Sequence, residues 1–221
     1  MAADDPTALI TAAREGYADI VRLFLDRGVD VNMEAYHTTA LIAAARGGHA
    51  DIVQLFLDRG VDVGMVVGNE TALIAALGPR TKCAGILQLL LDRGADVNKL
   101  VNGKTALSVA IHDYRLGLNA DILQQLLDRD ADVNTGFGRE TALIAAAREG
   151  YVDLVRLFLD RGVDVDLVVD DTTALIVATE TGHPRIVLLL LDRGANVNIL
   201  VDFLNFFFKI SLLVCNPVGG L

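Results

Sequence analysis

Tryptophan is absent from the 221 residues, and cysteine (two), methionine (three) and proline (four) are scarce. Two cysteines as far apart as Cys83 and Cys215 make no disulfide framework, so a reducing compartment is expected. Basic residues are in deficit: 19 Lys and Arg against 29 Asp and Glu leave a net charge of −10 and an isoelectric point near 4.7. Such a chain offers no counter-charge to a phosphate backbone, which argues against nucleic-acid binding. Hydrophobic residues make up 52% and mean hydropathy is +0.43, yet no uncharged apolar run approaches the roughly 18 residues of a bilayer span. Asp4 and Asp5 stand where a signal peptide would carry basic residues and then an apolar run. The length admits one or two domains with a sizeable core. These absences point to an acidic globular protein, cytoplasmic or else nuclear, that is neither a transporter nor a nucleic-acid binder.

What fills the chain is a repeat. Thr-Ala-Leu recurs at Thr7, Thr39, Thr71, Thr105, Thr141 and Thr173, at spacings of 32, 32, 34, 36 and 32. Leu-Asp-Arg recurs in phase, beginning at Leu25, Leu57, Leu91, Leu127, Leu159 and Leu191. In the second copy, TALIAAARGGHADIVQLFLDRGVDV, Thr39 is an expected N-cap and the alanine-rich stretch after it a first helix that Gly47-Gly48 breaks. A second helix over about 51–58 places Ile52, Leu55 and Phe56 on one face, with Asp51 favoured by the helix dipole and Gly60 closing it left-handed. An extended excursion then leads to the next threonine. Helices this short are marginal alone and must stack on their neighbours, which predicts an all-α solenoid of helix-turn-helix units. Alanine on the first helices against Ile, Leu and Phe on the second predicts a stack that curves, with first helices and loop tips lining its concave face.

The units resemble ankyrin repeats. T-A-L-I stands for that family's T-P-L-H, and the Ala-Ala, Gly-His, Ile-Val, Leu-Leu and Gly-Ala-Asp-Val-Asn positions follow in order, as in residues 90–98 and 182–187. The resemblance covers about residues 7–202. It implies joined helix pairs with hairpin-like loops, a non-enzymatic protein-interaction role, no cofactor and a monomeric array binding another protein. The array is expected over residues 1–202, with repeats starting near 5, 37, 69, 103, 139 and 171, and an apolar tail over 203–221. Pro and His of T-P-L-H are absent from every copy, and the loop from Val to the next Thr is one residue shorter than usual. The lost His removes hydrogen bonds that tie adjacent loops in the family.

Several irregularities bear on binding. The third and fourth copies carry extra residues between their helices, around 78–82 and 114–119, which read as a partner-specific knob or as tolerated loops. Asp130 replaces the closing glycine of the fourth copy, a weak point costing on the order of 1 kcal/mol. Residues 7–32 and 141–166 differ at four of 26 positions, which points to duplication of units. Loop tips are unusually apolar: Met65-Val66-Val67, Leu100-Val101, Gly136-Phe137, Leu167-Val168-Val169 and Ile199-Leu200-Val201, with Ala35-Tyr36 in the second copy. Because neighbours in an extended segment point to opposite faces, one member of each pair can pack while the other is exposed, or both can bury between stacked loops. Tyr36, Val67, Val101, Phe137 and Val169 are the expected anchors. Arg14, Arg46 and Arg148 recur seven residues after Thr, with His112 and Glu180 in the same column. The resemblance places this column in the groove, which makes Arg46, His112 and Arg148 candidate contacts for an acidic segment or else solvated surface residues.

The tail, FLNFFFKISLLV over 203–214, breaks the pattern where a threonine is due at 205. It reads as an apolar helix or strand covering the last repeat, as a membrane-surface or partner segment, or as the truncated or degenerate end of a longer array, which is the expectation; association with a membrane or membrane protein is the alternative function. Catalysis has no foothold. Asn102-Gly103-Lys104-Thr105 holds the G-K-T of a phosphate loop but Asn98 stands where its first glycine belongs, and Gly136-Phe137-Gly138 is one glycine short of a dinucleotide fingerprint. His49 and His183 occupy the Gly-His position, a structural place, and neither they nor Cys83 have partners at metal-ligand spacing.

Overall fold

The computed structural model describes residues 6–78, 83–112, 120–135, 138 and 140–199. The chain divides into two units, Met1–Gly138 and Arg139–Leu221. Among the described residues the first holds four helix pairs: α1 (Thr7–Glu15) with α2 (Ala18–Asp26), α3 (Ala40–Gly47) with α4 (Ala50–Asp58), α5 (Ala72–Ala75) with α6 (Cys83–Asp92), and α7 (Ala106–His112) with α8 (Ala120–Asp128). The second holds α9 (Ala142–Glu149) with α10 (Val152–Asp160) and α11 (Ala174–Glu180) with α12 (Pro184–Asp192).

The threonines start these helices as their chemistry dictates. Thr39, Thr71, Thr141 and Thr173 are extended, and each Oγ1 accepts the backbone N–H three residues on. This satisfies one of the orphan donors of the first turn, a bond typically worth about 1 kcal/mol. Thr105 does the same for Ser108, whose hydroxyl donates back to the Thr105 carbonyl at 2.9 Å. α1 departs from the pattern: it begins at Thr7 itself, directly after Pro6.

Within the first unit, first helices pack on first helices (α1 on α3, α3 on α5, α5 on α7) and second helices on second (α2 on α4, α4 on α6, α6 on α8); in the second unit α9 meets α11 and α10 meets α12. Alanine permits the close layer: Ala43, Ala44 and Ala45 of α3 are buried beside Leu41 and Ile42. In α4 the buried residues are Ile52, Val53, Phe56 and Leu57, while Leu55, expected on the apolar face, is half-buried. Residues 52, 53, 56 and 57 form a wedge that meets both its own first helix and the next repeat, and Leu55 lies a step further round it. Removing the Phe56 ring would cost about 3–5 kcal/mol on the usual scale for buried aromatics.

Among the described residues four of the extended excursions are tight antiparallel hairpins. β1 (Glu34–Ala35) pairs with β2 (Thr38–Thr39), and single bridges join Val67 to Glu70, Val101 to Lys104 and Val169 to Thr172. The two residues at each turn are left-handed: Tyr36 and His37, Gly68 and Asn69, Asn102 and Gly103, Asp170 and Asp171. Two successive positive φ values between paired residues mark the mirror-image turn whose twist suits a hairpin.

Candidate partner-binding surface

The hairpin register decides which tip residues face outward. Val67 exchanges both backbone hydrogen bonds with Glu70 (3.0 and 3.2 Å) and its side chain is 4% exposed, whereas Val66 before it is 42% exposed. Val101 and Leu100 repeat the arrangement, buried and exposed respectively; Val169 is half-buried and Val168 exposed. The anchor expectation is therefore corrected for Val67 and Val101, because the residue flanking the turn points into the stack and its predecessor points out. Tyr36 sits in the turn itself and is 81% exposed, and Phe137 lies outside the described residues. The insertion at 114–119, most of that at 78–82 and the tail likewise lie outside them.

The arginine column is engaged within the protein. Arg46 pairs with Glu70 of the next loop, Arg148 Nε lies 3.1 Å from Glu140 Oε2, and Arg14 Nε lies 3.5 Å from Glu15. His112 ends α7, exposed. Two of the three candidate groove contacts are thus neutralised by glutamates, and a basic strip does not stand free.

Other recurring polar residues join one repeat to the next. The Leu-Asp-Arg blocks form ladders: Arg59 to Asp26 at 3.3 Å, Arg93 to Asp58 at 2.8 Å and Arg129 to Asp92 in the first unit, and Arg193 to Asp160 at 2.8 Å in the second. The hydrogen bond from Arg93 holds the Asp58 carboxyl below the ordinary carboxylate range, and that from Arg129 does the same for Asp92. Asn32 Oδ1 accepts the Asp62 N–H at 3.1 Å, Asn98 Oδ1 the Asp132 N–H at 2.7 Å, and Asp166 Oδ1 the Asn196 N–H at 2.9 Å. His49 Nε2 donates to the Arg14 carbonyl at 2.9 Å and His183 Nε2 to that of Arg148 at 3.1 Å, both serving the C-terminus of the preceding first helix. Among the described residues no three His, Cys, Asp or Glu side chains gather as a metal site.

The family model for ankyrin repeats in three copies matches residues 1–67 and 114–200, and that for a single ankyrin repeat matches residues 68–100. The chain belongs to the ankyrin repeat family. Ankyrin repeats are in general non-enzymatic modules of protein–protein interaction. Among solved structures the chain is similar to the human ASB11 ankyrin repeat domain, at 23% identity, with a TM-score of 0.71 and coverage of 96% of this chain and 99% of that one. That likeness is one of fold. No curated protein sequence matches the chain. Among the described residues no helix is long and apolar enough to cross a membrane.

Proposed function

We propose that the chain is a non-catalytic scaffold that holds a partner protein against its hairpin tips, with Tyr36, Val66 and Leu100 as anchors in the first unit and Val168 in the second. The observation that carries this reading is Tyr36. A bulky side chain at φ 52° in a turn is disfavoured locally, and at 81% exposure it returns nothing to the core. Aromatic residues with an apolar body and a polar tip are what protein interfaces concentrate at their centres. Val66, Leu100 and Val168 add one exposed aliphatic side chain per hairpin. Arg46, Arg148 and His112 are secondary contacts: a carboxylate on the partner would have to compete with Glu70 and Glu140, an exchange between exposed ion pairs that is nearly neutral in energy.

The test is capture from lysate by three baits shown to be equally helical. These are the native chain, a Tyr36→Ser, Val66→Ser, Leu100→Ser, Val168→Ser variant, and an Ile20→Ser, Leu23→Ser control altered on the exposed side of α2. A prey held by the native and control baits and weakened about tenfold or more by the tip variant supports the reading. Retention that is equal on all three baits, or lost equally on both variants, overturns it.

A further inference from the structure

The outward face of the last repeat is finished for a neighbour that the described residues do not supply. Leu191 is 39% exposed, against 7% for Leu57 and Leu91, which hold the same place in repeats followed by another. Val197 is 66% exposed, against 9% for Val97. In α11, Leu175 and Ile176 are half-buried where Leu41, Ile42, Leu143 and Ile144 are buried. The polar fittings match: aspartates at this position elsewhere accept an arginine from the next repeat, and Asn32, Asn98 and Asp166 accept its backbone N–H. Asp192 and the Asn198 side chain, in the corresponding places, have no such partner among the described residues.

This face is also more apolar than the interior ones. Other repeats place Arg22, Gln54, Gln88, Gln124 or Arg156 one turn before the aspartate, and Gln54, Gln88 and Gln124 each donate to an aspartate four residues on. The last repeat has Leu188 there, exposed. A solenoid end left to water calls for polar substitutions, and this one runs the other way.

We propose that residues 203–214 of the same chain dock on this face and cap the second unit. The face ends at Val197 and the segment FLNFFFKISLLV begins six residues later, so it is the nearest apolar surface along the chain. As a helix its twelve residues would reach about 18 Å, enough to lie along α11 and α12, which have seven and nine residues. Asn205 falls 32 residues after Thr173, at the register of the repeat's N-cap, and asparagine is among the best caps. Phe206, Phe207 and Phe208 then occupy places that interior repeats give to small or aliphatic residues. Such bulk suits a cover rather than another interior layer. Lys209 is the segment's one charge, and docking of the rest against Leu188, Leu191 and Val197 would remove the exposed apolar surface of these three from water.

Hydrogen–deuterium exchange on the full chain tests the proposal. Peptides covering 203–214 are expected to exchange roughly tenfold or more slower than an unstructured segment, at monomer mass and independently of protein concentration. A Leu188→Asp, Val197→Asp variant, altered only at exposed positions, is expected to abolish that protection while leaving the first unit unchanged. Leu188→Met with Val197→Ile is expected to keep it. Free-peptide exchange in the native chain, protection that survives the charged variant, protection that rises with a dimer, or protection gained only with phosphatidylcholine–phosphatidylserine vesicles would each overturn the proposal. The last two outcomes would assign the segment to a second copy or to a lipid surface.

Discussion

Asp130 closes α8 at φ 60°, the one such position without glycine among the six repeats. An L-residue with a Cβ pays for that conformation, less for aspartate than for most. Asp130→Gly is expected to raise stability by about 0.5–1 kcal/mol, read as a higher urea midpoint at unchanged slope. The Asn98 Nδ2 bond to its backbone carbonyl survives the change. The same loops show how far single residues could be read in advance. Alternation says that one of Val66 and Val67 is buried, but a period of two has no preferred phase. The phase was nonetheless encoded: aligning the turns puts Glu34 in one column with Val66, Leu100 and Val168, and Ala35 with Val67, Val101 and Val169. A column containing glutamate faces water. Asn102-Gly103 between Val101 and Lys104 was the signal for the turn, being the strongest short hairpin pair.

The hairpins are elements in their own right, and they stack. A Cβ on Gly68 would collide with the His37 carbonyl oxygen of the preceding hairpin, whereas a Cβ on Gly103 meets nothing within 4 Å. Both glycines are left-handed, so Gly103→Ala isolates the conformational cost, about 1 kcal/mol, and Gly68→Ala adds a backbone collision. Chemical denaturation is expected to show Gly68→Ala costing at least about twice as much as Gly103→Ala. Equal losses would mean that the hairpins bend independently. The helices were the legible elements: threonine caps, glycine stops and the 3.6-residue pattern specify start, end and face locally. Hairpin pairing and the ion pairs of the ladder depend on what the next repeat brings within reach, which no window inside one repeat contains.

Across the first unit as a whole, acid should act through the ladder. Asp58 and Asp92 titrate lower when folded than the ordinary carboxylate near 4, because each receives an arginine hydrogen bond. A depressed folded value means their contribution is present above the unfolded pKa and disappears as the pH falls through the folded one. Melting temperature is therefore expected to drop on acidification below about pH 4, and the Asp58→Asn, Asp92→Asn variant to drop less steeply over that window. Near neutrality the native protein should be the more stable, by the same small margin that it then loses in acid, since exposed pairs are weak. A parallel acid slope in both proteins would remove the ladder from the account.

The ladder has a genealogical corollary. Within each unit an aspartate of one repeat meets an arginine of the next, so none of these four junctions is private to the two repeats that make it. Excising residues 39–70 would join Thr38 to Thr71 and bring Arg93 to Asp26 in place of Arg59. Recombination between such units can lengthen or shorten the array without inventing a new junction, and two repeats that differ at four of 26 positions are what that traffic leaves behind.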